Sequence, residues 1–293
     1  MLPSQAESPE YLGINRNLNK LTTILWHTAD WHTNKKTGVR VPVKTMEELD
    51  ETRASPFQRF LWRSLLDQAD TVAELAKGTK AEIWTVFGGD MIEADIKDRQ
   101  VPMHSRVMKT IRDLFTDTAV PATKISRRLF MVRGTRAHVG DEEETIAADL
   151  NCEMHPDSKT YSAHQWLINC DGVRFHIQHH GKLGRLPWTR ANALNQKAIR
   201  LMVHYQLQRR TLPDVYIQAH NHAFATGDKA NPILTIAAPG MSLPDDYSHR
   251  IDADLPDIGG LFFICEKGRI FDWDVMLYQP KGLTEWSLER MQK

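Results

Sequence analysis

Residues 81–90 read AEIWTVFGGD. An apolar, β-branched and aromatic run of this length, without helical period, reads as a buried strand. Gly88 and Gly89 end it and leave Asp90 at its tip. Taken alone, Gly-Gly-Asp is a turn more often than a ligand. Its neighbours along the chain change that reading. LTTILWHTAD (21–30) comes before it, and RRLFMVRG (127–134), VRFHIQHHG (173–181) and DVYIQAHNHA (214–223) come after it. All read as strands, and all run into polar residues at their C-terminal ends.

Between them lie helical patterns. Ser55-Pro56 is a helix start, followed through about Leu75 by Phe60, Leu61, Leu65, Leu66 and Val72 near helical period. A second helix is expected around 103–116 and a long one at roughly 189–209. The segment DEEETIAADL (141–150) opens with an acidic turn suited to a helix N-terminus. Near the end, GLFFICEKGRIFDWDVMLY holds two strands around Lys267-Gly268, a hairpin signal. Strands alternating with helices predict a layered α/β fold, in which sites collect where strands end.

The organisation expected is a polar N-terminal arm over 1–20, one domain over 21–280 with a loop insertion at 33–55, and a C-terminal tail over 281–293. Lys plus Arg balance Asp plus Glu at 37 each, so any preference for nucleic acid must be local. Cys152, Cys170 and Cys265 are too scattered for a disulfide framework or a Cys-based zinc site. No apolar stretch is long enough to cross a bilayer, and the first twenty residues lack a secretion signal's apolar core. A soluble cytoplasmic protein without membrane contact is the expectation; the oligomeric state is open.

The strand ends carry Asp30 and His32; Asp90; Thr135 and His138; His179 and His180; His220 and His222. Each group is unremarkable singly, but their recurrence at one structural position is not a chance pattern. Mixed imidazole and carboxylate donors suit divalent Mn, Fe, Zn or Ni rather than Mg or Ca. Residues i and i+2 of a strand share a face, so Asp30 with His32, and His220 with His222, are expected to converge.

The order Asp30-Trp31-His32, Gly89-Asp90, Gly134-Thr135-Arg136-Ala137-His138, His179-His180-Gly181 and Ala219-His220-Asn221-His222 resembles the calcineurin-like metallophosphoesterase superfamily. The resemblance spans about residues 22–225. It implies a four-layer α-β-β-α sandwich with a C-terminal hairpin, a site for two divalent ions, Mn foremost, and hydrolysis of phosphoesters by a metal-bound hydroxide. It implies that Asp30, His32 and His222 hold one metal, that Asp90 bridges, and that His220 with His179 or His180 holds the other, His179 preferred. Ala219 stands where the family has glycine. The family's GNH becomes GTRAH, so Thr135 replaces a ligating asparagine and His138 falls two residues late. Either Thr135 or a water completes the second site while a reshaped loop brings His138 to the leaving group, or the second site is weak and the protein binds metal without catalysis. The first reading is favoured, and GT-x-x-H is similar to a variant in uncharacterised, often phage-related, members.

From Gly172 to Pro213 there is no Asp or Glu, but there are Arg174, Lys182, Arg185, Arg190, Lys197, Arg200, Arg209 and Arg210. This is either a solvated helix face or a surface that steers a polyanion such as DNA or RNA. Trp188 can stack on a base or be buried. Arg133 and Arg136 can clamp phosphate, with Arg136 and His138 as candidate catalytic groups and Arg133, Lys182 and Arg185 as substrate contacts, or they can pair with the acidic residues 141–144. A phosphodiesterase or nuclease is the leading expectation. A small-molecule or protein phosphatase is the alternative, and a non-catalytic metal-binding interaction module is the rival of another class.

Overall fold

The computed structural model describes residues 22–42, 54–98, 101–184, 186–243 and 256–279. The expected N-terminal arm, residues 43–53 of the expected 33–55 loop, Arg185 and the C-terminal tail lie outside the described residues.

Two sheets form the centre. In the first, β1 (Thr23–Thr28), β2 (Glu82–Phe87), β3 (Arg128–Val132) and β4 (Ser162–Ala163) run parallel in that order. The C-terminal hairpin β10 (Ile258–Glu266) and β11 (Arg269–Tyr278) extends the sheet antiparallel beyond β1. Lys267 and Gly268, both at positive φ, make its turn, as the right-handed twist of a tight hairpin favours. In the second sheet the order is β5 (Gln165–Cys170), β6 (Val173–Gln178), β7 (Val215–Gln218), β9 (Leu234–Ala237) and β8 (Ala225–Thr226), with β6, β7 and β9 parallel.

Strand alternation sorts the side chains into layers. Ile24 and Trp26 of β1 pack with Leu61, Leu65 and Phe115 of α1 (Pro56–Thr79) and α2 (Met108–Ile125). Leu25 faces the other way, into a core between the sheets with Phe130, Trp166, Phe175, Ile217 and Phe263. Outside the second sheet, Leu201 and Tyr205 of α5 (Arg190–Leu207) cover Tyr216 and Ile233. The result is the expected four-layer α-β-β-α sandwich. None of the described helices is long and apolar enough to cross a membrane.

Helix α1 starts where expected. Ser55 Oγ accepts the Gln58 amide at 3.1 Å, the Gln58 side chain accepts the Ser55 amide at 3.2 Å, and Pro56 occupies the first turn, a capping box. Helix α2 lies later than expected. Residues 103–107 are tied instead to Asn34, whose carbonyl accepts the His104 amide and whose Oδ1 accepts the Ser105 amide, and the helix continues past 116 because Thr118, Ala119 and Ala122 extend its buried face. Strand β5 is an unanticipated element: its alternation of exposed and buried residues is strict, but its exposed half is Gln165, Leu167 and Asn169, which is not uniformly polar.

Two buried histidines outside the strand tips set a pH response. Burial lowers His27 to about 4, with the Asp30 carboxylate opposing. Burial and then the cations Lys197 and Arg210 lower His176 to about 4. The unfolded chain takes up these protons near pH 6.5 and the folded chain only near 4, so stability present above pH 6.5 is lost between 6.5 and 4. Each group contributes up to about 3 kcal/mol to that loss. Urea unfolding of the metal-free protein across this range should show the decline, and His27→Leu should flatten it; an unchanged slope in that variant would contradict the assignment.

Candidate metal centre

The loops that follow β1 and β2 continue side by side beyond the sheet. The amides of Asp30, His32 and Thr33 donate to the carbonyls of Gly89, Asp90 and Met91 at 2.9–3.0 Å. Trp31 anchors the first loop: its indole N–H donates to Thr28 Oγ1 at 2.7 Å, and its ring packs edge-on against Phe87. With Trp31 buried on the helix side, Asp30 and His32 are free to turn toward the site.

They do converge, but not by strand alternation. β1 ends at Thr28 and β7 at Gln218. Asp30, His32, Asp90, His220 and His222 all have positive φ, between 43° and 74°. Left-handed backbone is uncommon outside glycine, tolerated best by Asp, Asn and His, and concentrated at functional sites. Here it swings successive ligand-capable side chains inward from loops, which corrects the alternation argument while keeping its outcome.

Asp30 is fully buried. Its Oδ2 accepts the His220 amide at 3.0 Å. Its Oδ1 has no hydrogen-bond partner among the described residues and lies 3.4 Å from His222 Nε2 and 4.0 Å from His179 Nε2. A buried carboxylate oxygen left open and surrounded by imidazole nitrogens fits a cation. Asp30, His32 and His222 have ligand-capable atoms within 4.8 Å of one another, as do Asp30, Asp90 and His179, and also His179, His180 and His220.

Asp90 sits between these groups. Its Oδ2 is 3.1 Å from His179 Nε2, 3.8 Å from His220 Nδ1, and accepts the Thr135 hydroxyl at 3.0 Å. Burial opposes its charge, but the His179 and His220 imidazoles hold its carboxyl well below the usual range. Conversely, burial works against a charged His179, yet Asp90 and Asp30 raise it to about 10. Binding a cation at Nε2 therefore has to release a proton.

The two members of the histidine doublet differ. His179 is buried, and its Nδ1 donates to the Gly88 carbonyl at 2.8 Å, which turns Nε2 toward the carboxylates, as metal-ligating histidines are commonly oriented. His180 is exposed, 3.1 Å from the Thr135 hydroxyl, and burial with the charges of His179 and His220 lowers it to about 4. Thr135 Oγ1 also lies 3.3 Å from His220 Nδ1, so one hydroxyl faces Asp90 and the imidazoles of the second group.

Glycines make this density possible. A Cβ on Gly134 would fall 2.3 Å from Asp90 Oδ1 and 2.2 Å from its backbone nitrogen, and one on Gly89 would fall 2.6 Å from His179 Nδ1. Gly240, which carried no sequence signal, lies against Asp30 and His222.

Two carboxylates complete the site without having been anticipated. Glu143, in α4 (Glu142–Asp149), accepts the Met91 amide at 2.9 Å and the Gly134 amide at 2.6 Å, tying together the loops after β2 and β3. Burial and then the Asp90 charge raise it to about 7. Glu93 is buried and accepts from His138 Nδ1 at 2.7 Å, with His32 Nδ1 at 3.3 Å. Burial opposes its charge, but its bonds to His138 and His32 lower it to about 2. Residues 136–139 form a short helical turn, α3 (Arg136–Val139), whose His138 carbonyl accepts the Ala94 amide. This turn sets the His138 ring 4.7 Å from that of His32. The only sequence trace of Glu93 was its place three residues after Asp90.

The remaining candidates divide. Arg133 bonds Ser162 Oγ at 3.0 Å and Glu144 at 3.4 Å. Of the two roles left open, the structure shows the pairing with the acidic segment. Arg136 is exposed on α3, and no ion pair ties it to the cluster among the described residues. Lys182 is exposed beside His180, and Trp188 is 77% exposed.

The structure is thus a two-sheet α/β sandwich whose histidines and aspartates gather beyond the strand ends, the arrangement that the resemblance of the ligand order implies. No family model and no curated protein matches the sequence. Solved structures with a similar outline include a dimetal phosphatase from Danio rerio (11% identity, 89% of this chain and 100% of that chain, TM-score 0.44). Vps29 from Entamoeba histolytica, complexed with zinc, is another (11% identity, 87% and 98%, TM-score 0.38). A predicted phosphoesterase from Streptococcus pneumoniae is a third (8% identity, 84% and 85%, TM-score 0.34).

Proposed function

We propose that this protein is a divalent-metal-dependent phosphodiesterase that acts on nucleic acid. The observation that carries the reading is the overlap of the ligand-capable groups at Asp90, with Asp30 Oδ1 buried and open beside them. Asp30, His32 and His222 would hold one ion and His179, His180 and His220 the other, with Asp90 between. Divalent ions at such a site supply Lewis-acid polarisation of phosphoryl oxygens and acidify water.

The chain's own residues supply orientation and proton handling. Gly88 fixes the His179 tautomer through Nδ1. The Thr135 backbone N–H and hydroxyl hold both Asp90 oxygens in place. Glu93 accepts from His138 Nδ1 and thereby sets the imidazole plane, leaving Nε2 as the position that hands a proton to the leaving-group oxygen. The preference for a strand over a small phosphomonoester rests on the acid-free segment from 172 to 213 and on the exposed indole of Trp188.

Hydrolysis of bis(p-nitrophenyl) phosphate should require added metal, with manganese most effective in a series that includes Fe, Zn and Ni, and should stop in excess EDTA. Faster turnover of p-nitrophenyl phosphate than of the diester would favour the phosphatase reading, and no turnover with any divalent metal would favour the interaction module.

A further inference from the structure

Beside the metal centre, a cavity of about 410 Å³ opens between α5 and the ends of β6 and β7, within the range typical of small-ligand sites. Its wall toward the centre is the segment that begins at Gly181 and Lys182, directly after His180, and that segment is clamped. The Gln178 amide donates to the His180 carbonyl, the Gln218 amide donates to the Lys182 carbonyl at 3.0 Å, and Asn221 donates to the Gly181 carbonyl at 3.0 Å. A Cβ on Gly181 would strike the Gln218 side chain, so the loop and the β7 end are packed as one unit.

Three cations line this cavity, Lys182, Lys197 and Arg200, and no acidic residue does. Lys197 is half-buried. Its Nζ lies 3.5 Å from Gln178 Oε1 and 4.6 Å from the centroid of the Tyr216 ring. Among the described residues no carboxylate pairs with Lys182, Lys197 or Arg200. Burying an ammonium beside a guanidinium is unfavourable unless a counter-charge arrives. A cation–π contact and one amide oxygen offset only part of that cost.

We propose that this cavity binds a phosphate of the nucleotide strand, next along the backbone from the phosphodiester at the metal centre. His180 of the centre is followed directly by Gly181 and Lys182 of the cavity wall, so a strand lying across the centre carries its neighbouring phosphate over that wall to Lys197 and Arg200. The 3₁₀ turn Pro187–Thr189, packed against Gly184 of the same rim, presents the exposed Trp188 ring where a base can stack. Lys197 and Arg200 are thus substrate-positioning residues that select a polynucleotide over an isolated phosphoester. The assignment rests on the phosphodiesterase reading for its substrate, but the pocket is testable without it.

The test is fluorescence anisotropy of a labelled oligothymidylate in EDTA, with the wild-type chain and with Lys197→Gln, Arg200→Gln and Lys197→Arg. Each glutamine variant should weaken binding roughly tenfold and reduce the slope of log affinity against log salt by about one unit. Lys197→Arg should restore both. Arg200 is exposed on α5, so its variant answers the question even if Lys197→Gln fails to fold. Unchanged affinity and slope in the folded glutamine variants would overturn the proposal. So would displacement of the strand by inorganic phosphate at concentrations near its own, which would mark a free-phosphate site. If wild-type protein shows no metal-dependent diester hydrolysis, the catalytic reading falls, while binding in EDTA still decides the pocket.

Discussion

Replacing Asp90 with asparagine should lower metal-dependent diester hydrolysis by roughly 10³-fold or more, the rate equivalent of about 4 kcal/mol. Asp90 is buried, and its Oδ2 lies 3.1 Å from His179 Nε2 and 3.8 Å from His220 Nδ1, so both proposed ion positions depend on its charge. An amide is nearly the same size but neutral, and its NH₂ would turn toward the Thr135 N–H and hydroxyl donors or toward His179. Without that carboxylate, His179 loses the main partner that raises it to about 10. The variant should therefore contain less metal by elemental analysis and bind it with less proton release. In the metal-free state the loss of the His179 pairing is offset in part, because the Asp90 charge also contributes to raising the buried Glu143 carboxyl to about 7. Removing that charge relieves a repulsion. A folded Asp90→Asn variant with wild-type turnover would remove Asp90 from the centre.

The second large effect is expected at His138. His138→Gln should reduce kcat for a diester with a poor leaving group, such as a DNA strand, by roughly 10²–10⁴-fold. The loss should be much smaller for bis(p-nitrophenyl) phosphate, because p-nitrophenolate departs without protonation. That split distinguishes proton donation from a general loss of structure, which would lower both rates together. Glu93→Gln should show the same leaving-group dependence more weakly, since it removes the anchor at Nδ1 but leaves the imidazole. Glu93 is held at about 2 by His138 and His32 against the cost of burial. The stability it contributes is present above the ordinary carboxylate pKa near 4.5 and is lost as pH falls toward 2. Equal losses on both substrates would reduce His138 to a structural role.

The sandwich was legible because strands buried on both faces show as continuous apolar runs. LTTILWHTAD, AEIWTVFGGD and DVYIQAHNHA are hydrophobic enough to identify without partners. Ser55-Pro56 declared a helix start for a local reason, a cap that depends on only a few residues. Strand β5 was not legible, because only half of it faces the core and two of its three outward residues, Gln165 and Asn169, have loop-like polarity. The start of α2 was hidden for a different reason: bonds from Asn34, distant in sequence, take the backbone groups of His104 and Ser105.

The same division runs through the site. Sequence alone determined which residues can be ligands, since Asp30, His32, Asp90, His179, His180, His220 and His222 are ordered by strand succession, and parallel strands bring their C-terminal ends to one edge. Tertiary structure decided how those residues converge, through left-handed loop backbone rather than strand pleat. It decided that Arg133 pairs with Glu144 and Ser162, that Trp188 faces solvent, and that His138, displaced in sequence, is met by Glu93. The physical reason is separation along the chain. A ligand set recurs at strand ends and leaves a periodic trace, but the hydrogen bond between Glu93 and His138 exists only once two loops are packed together, and neither residue alone announces its partner.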